Sequence, residues 1–84
     1  MTIQEINEIN PEALLCDGFD EAIIGMAERI NLGPVVAYST NKIIDILMER
    51  DNKDYEEALE YYNYNIVGSW LGENTPIFIT TNDY

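Results

Sequence analysis

Apolar positions along this chain recur with two different periods. Phe19, Ile23, Met26, Ala27 and Ile30 return at three- and four-residue steps, the spacing that lines one face of a helix, and this predicts a helix over residues 19–30. Asp17 or Asp20 supplies its cap, and the run Asn31-Leu32-Gly33-Pro34 its stop. Residues 34–39, PVVAYS, are instead a continuous apolar, β-branched run of strand length. Ser39, Thr40 or Asn41 is placed to cap a second helix over 41–50, whose Ile43, Ile44, Leu47 and Met48 form a buried face. Asp51-Asn52-Lys53 turns the chain. Asp54 with Glu57 three residues later makes an acidic capping box for a third helix. Along it Ala58, Leu59, Tyr62, Ile66 and Trp70 fall on one stripe. Residues 11–18, PEALLCDG, read as a short strand ending at Asp17-Gly18, and residues 76–80, PIFIT, as another.

The resulting order, β-α-β-α-α-β, predicts an α+β (α/β two-layer) fold in which a small three-stranded sheet is covered by helices, mainly on one face. Strands one and two, joined by a helix, would run parallel with a right-handed crossover if they are neighbours. Every strand is an apolar run, so the middle one is expected to be buried on both sides, or else one sheet face pairs with a second chain. A homodimer is therefore among the expectations. The 84 residues form one domain, with residues 1–10 read as a loosely ordered N-terminal segment. Gly25 and Gly68 lie inside helical runs, where each costs about 1 kcal/mol against Ala, and are read as points of close approach between elements.

The stretch SWLGENTPIF, residues 69–78, sets polar groups beside an aromatic wall. Gly72 suits the left-handed position after a helix. Pro76 cannot continue the helix and biases Thr75 to an extended conformation. Trp70 is thus expected in the core, with Trp70→Ala costing about 3–5 kcal/mol. Glu73-Asn74-Thr75 is expected as a surface turn, and Glu73 and Asn74 are the pair a binding site would use.

Composition narrows the function classes. At 46% hydrophobic residues the chain is too apolar for disorder, and no apolar run approaches the ~20 residues of a membrane span. The N-terminus lacks the pattern of a secretory signal. The single cysteine, Cys16, fits a reducing, cytoplasmic setting and reads as a small core residue. The net charge is −12, from sixteen acids and four bases. Residues 1–28 hold seven acids and residues 54–84 six, and neither segment has a base. Such a field repels nucleic acid and anionic membranes and attracts a basic protein surface. It also keeps small proteins apart, whatever else it does.

Catalytic chemistry has little to draw on. There is no histidine, so the commonest general base and metal ligand is missing, and Cys16 lacks an activating partner. No glycine-rich phosphate loop is present, and DNKDYEE places Lys53 and Tyr55 where a calcium loop needs oxygen ligands. Neither a cofactor nor a metal site is expected. Two constellations remain. Asp17, Asp20, Ser39 and Thr40 would gather at the carboxyl ends of two parallel strands, where ligands bind in α/β sheets, although helix capping accounts for the same residues. Glu57, Glu60, Tyr61 and Tyr64 are neighbours by three- and four-residue steps on one helix face. Tyrosines flanked by carboxylates suit a protein interface, whereas rings lapping over the core edge would need no partner.

The pieces DGFDEAIIG (17–25), VVAY (35–38), ILMERD (46–51), YEEALEYYNYN (55–65) and VGSWLGENTPIF (67–78) together resemble a family of small uncharacterised proteins encoded by tailed bacteriophages. The resemblance implies no activity. It implies an acid at the position of Ser39 and Phe at that of Tyr64 in relatives. Taken with the charge map, it leads to the expectation of a phage-type interaction protein without enzymatic activity. That protein would act in the cytoplasm of an infected bacterium and bind a basic face of a host protein, such as a nucleic-acid-binding or defence factor. The alternatives are a small-ligand or metal-binding domain using the strand-end carboxylates, and a minor virion or assembly component.

Overall fold

The computed structural model describes residues 1–82. Thr2 and Glu5 open the chain with a reciprocal cap. The Thr2 N–H donates to the Glu5 carboxylate at 2.8 Å and the Glu5 N–H to the Thr2 hydroxyl at 3.2 Å. The bond from the Thr2 backbone holds the Glu5 carboxyl below its ordinary range. Helix α1, Ile3–Ile9, follows, and its Ile6 is fully buried in the core. Within residues 1–10, where a loose segment was expected, Ile3–Ile9 is therefore a helix capped at both ends and packed on the core through Ile6.

Residues 11–18 form no strand, and residues 19–30 form no helix. A 3-10 turn, Asp20–Ala22, leads into β1, Ile23–Arg29, which hairpins into β2, Leu32–Ser39. The two-residue turn Ile30-Asn31 puts Asn31 at φ 61, a left-handed conformation that Asn tolerates better than most residues. The apolar set of 19–30 satisfies a helical period, but pairing decides otherwise. Ile23 aligns with Tyr38 and Met26 with Val36, antiparallel, with a bulge between Ile23 and Gly25. In this register both side chains join the core cluster, and strand content there depends on such packing more than on local preference. A Cβ on Gly25 would meet open space, and one on Gly68 only the backbone oxygens of Asn63 and Tyr64. Neither glycine is a point of approach between elements.

Helix α2, Thr40–Arg50, starts at the expected cap, the Lys42 N–H donating to the Ser39 hydroxyl at 3.1 Å. Helix α3 is Tyr55–Tyr62, and β3, Ile77–Ile79, returns beside β2. The sheet order is β1-β2-β3. The parallel pair is β2 with β3, aligned at Ala37 and Ile77, Tyr38 and Phe78, Ser39 and Ile79. The class is α+β, with a mixed three-stranded open sheet. The middle strand is buried on both faces: Val35, Val36, Ala37 and Tyr38 are successive buried residues. Ile43, Ile44 and Leu47 from α2, and Ala58 and Tyr62 from α3, pack on the Val36 and Tyr38 side. Met48 is only half-buried.

The third helix stops earlier than its apolar stripe. After Tyr62 the chain widens into a π-helical turn, Asn63–Val67, closed by the Gly68 N–H on the Asn63 carbonyl at 3.1 Å. An extra residue in a turn rotates everything after it by about 100°, and the helix then ends at Gly68. Trp70 is consequently 75% exposed, not core, and Leu59 is also partly exposed. Gly72 has φ 104, but it shapes the later turn closed by the Thr75 N–H on the Gly72 carbonyl, and does not end the helix.

Candidate functional site

Helix α3 and the π turn carry two adjoining clefts, which share Tyr61 and Asn65. The first is an open groove of about 440 Å³ lined by Lys53, Glu57, Glu60, Tyr61, Tyr64 and Asn65. It exists because α3 starts where its cap dictates. The Asp54 carboxylate accepts from the Glu57 N–H at 2.8 Å and the Glu57 carboxylate from the Asp54 N–H at 3.1 Å. With the helix start pinned, Glu57, Glu60, Tyr61 and Tyr64 share one face. One Glu57 oxygen is held by the cap, which leaves Glu60 the less encumbered acid. Tyr64 is 77% exposed and Tyr61 39%. The Lys53 ammonium stands 5.1 Å from the centre of the Tyr61 ring, within reach of its negative face.

Glu73 and Asn74 lie elsewhere. Glu73 is exposed on the turn before β3. Asn74 is a clamp: its side-chain oxygen accepts from the Asn10 amide at 3.3 Å and its carbonyl from the Leu14 N–H at 3.1 Å. The same Asn10 amide donates to the Pro34 carbonyl at 2.7 Å, so Asn10 and Asn74 tie the N-terminal segment to the sheet.

The strand-end set does not assemble as expected, because the first predicted strand is a loop. Asp17 and Asp20 are exposed in that loop and in the 3-10 turn after it. Ser39 caps α2, and the Thr40 hydroxyl shares a buried 2.8 Å hydrogen bond with the Tyr62 hydroxyl. Among the described residues no three His, Cys, Asp or Glu side chains are grouped to hold a metal ion, and no helix is long and apolar enough to cross a membrane.

The second cleft is smaller, about 240 Å³, and mainly apolar. Residues from the 14–19 loop, from the π turn and from the segment before β3 line it, so no single sequence window could have shown it. Cys16 is on its wall. Burial pushes this thiol up from its ordinary pKa, which keeps it protonated and poorly nucleophilic at neutral pH. Beneath it the Cys16 N–H donates to the Tyr38 hydroxyl at 2.8 Å, and burial pushes Tyr38 up to about 12. Arg50 marks a further feature that sequence reasoning passed over. Its guanidinium donates to the Gly18 carbonyl at 2.9 Å, lies 4.8 Å from the Phe19 ring centre and pairs with Asp51. It pins the loop to α2.

Comparison with protein-family models, with curated proteins and with solved structures finds no match to this chain.

Proposed function

We propose that the chain is a phage-encoded interaction protein without enzymatic activity. It meets a basic surface of a host protein, of the nucleic-acid-binding or defence kind, in the cytoplasm of the infected cell. The observation that carries this reading is the groove on α3. Two carboxylates and two accessible tyrosine rings converge there, and Lys53 already places one ammonium over Tyr61. A partner's Lys or Arg would find the exposed Tyr64 ring and the free Glu60 carboxylate. The absence of histidine and the protonated state of Cys16 support a binding role over catalysis. The net charge of −12 supports a basic protein over nucleic acid as partner.

The test is retention of proteins from bacterial lysate at low and high salt, by the native chain and by Glu60→Lys. A specific protein should be held at low salt, lost at high salt and lost by the variant. Retention of nothing beyond what an acidic control protein holds sinks the proposal. A second reading, a homodimer, draws on the edge strand β3, where Ile77 and Ile79 are partly exposed. Sedimentation equilibrium decides it, and the like charges of two copies require any such dimer to strengthen with salt.

A further inference from the structure

The groove accounts for the charge on this flank of α3 but not for the apolar surface beside it. Trp70 and Leu71 are 75% and 70% exposed, next to a cleft walled by Leu14, Cys16, Ile66, Leu71, Pro76 and Phe78. Tyr61 and Asn65 line both this cleft and the acidic groove, so the two are halves of one surface hinged on the π turn. Turns of this kind occur often at functional sites.

We infer that the cleft is an anchor pocket for an apolar side chain of the same partner. Its occupant is a basic amphipathic segment that places a Phe or Leu in the cleft and a Lys or Arg in the groove. This rests on the groove reading given above. The size fits, since an apolar cavity of about 150 Å³ already accepts benzene. The charge fits as well. Asp17 is the charged residue on the cleft wall, the adjoining groove sets Glu57 and Glu60 against the single Lys53, and the chain as a whole carries −12. A positively charged segment is drawn to such a surface and an acidic one is repelled. A second copy of this chain would bring a further −12 against it. Apolar anchors beside cations, at helical spacing, are a recurrent way for a segment to fill a groove.

The probes are two short Lys-rich peptides. One carries Phe and Leu four positions apart, and the other carries Ser at both places. Each is titrated into the full chain, following the emission of Trp70, the one tryptophan, and the backbone amide NMR shifts. The apolar peptide should bind about tenfold more tightly, a difference of about 1.4 kcal/mol, and should shift Ile66, Leu71 and Phe78. Leu71→Ser, at an exposed position, should erase that advantage while its circular dichroism melt stays native. Glu60→Gln should weaken both peptides alike. Equal binding of the two peptides, no binding of either, or shifts that avoid the cleft would overturn the anchor pocket. If the apolar peptide keeps its advantage while neither salt nor Glu60→Gln changes any affinity, the cleft stands and the acidic-groove reading falls.

Discussion

Tyr61 and Tyr62 are neighbours in sequence and serve opposite ends. Tyr62 is 5% exposed, packs edge-on against Phe78 at 5.9 Å and shares its hydroxyl with Thr40. Tyr61 is 39% exposed, faces the groove and lies beneath Lys53. Tyr38 and Tyr64 repeat the contrast. Tyr38 is fully buried, stacked on Phe78 at 5.8 Å and bonded to the Cys16 N–H, whereas Tyr64 stands out in solvent. A ring whose hydroxyl finds a buried partner can be sealed into a core, and a ring without one is left where water or another protein satisfies it. Residue type alone does not separate these pairs. The helix phase and the strand register do.

If that contrast is right, Tyr38→Ala should be the most damaging change. It empties the centre of the core and should cost about 3–5 kcal/mol, enough to unfold so small a domain in a thermal melt. A Tyr38→Ala protein that melts near the native temperature would break the distinction. Next come Tyr62→Phe and Thr40→Val, each expected to cost about 1–3 kcal/mol because the surviving hydroxyl is left buried and unpaired. The double variant should recover part of that loss. Strict additivity in the cycle would show that the two hydroxyls do not depend on one another.

The two classes should also separate by pH. Tyr38 is raised from 10.0 to about 12 and Tyr62 is raised as well, chiefly by burial. Their neutral forms are favoured in the fold, so this contribution is complete below about pH 10. It is lost progressively as the pH climbs toward 12, because the unfolded chain ionises first. Stability should therefore fall across that window, and Tyr38→Phe should blunt the fall. A pH-independent melt between 10 and 12 contradicts the buried assignment. The smallest effects belong to the exposed set. Trp70→Ala and Tyr64→Ala should each change stability by no more than roughly 0.5 kcal/mol, as at ordinary surface positions, while weakening capture of the proposed basic partner. A loss of about 3 kcal/mol for Trp70→Ala would return this ring to the core.

The groove was legible in the sequence because helix geometry alone brings Glu57, Glu60, Tyr61 and Tyr64 together. The apolar cleft was not, since its walls meet only after three distant segments have packed. The strand-end set of Asp17, Asp20, Ser39 and Thr40 failed for the converse reason. It assumed a strand at 11–18 that is a loop, and its hydroxyls are already used by a cap and by Tyr62.

Local chemistry by itself determined the cap at Ser39, the Asp54 and Glu57 box, the apolar run that becomes β2 and the strand after Pro76. In the two caps the deciding contact comes from three residues away, whereas the two apolar runs show their strand character in the sequence but are completed by pairing with distant partners. Tertiary structure decided the rest. Ile23 and Met26 satisfy a helical and an extended pattern equally, and only alignment with Tyr38 and Val36 across the hairpin chooses the strand. Trp70 continues the apolar stripe of α3, and only the π turn, which shifts the phase before Gly68 ends the helix, turns it out to solvent. Hydrophobic burial rewards whichever conformation finds a partner surface, and that surface is defined by residues far along the chain.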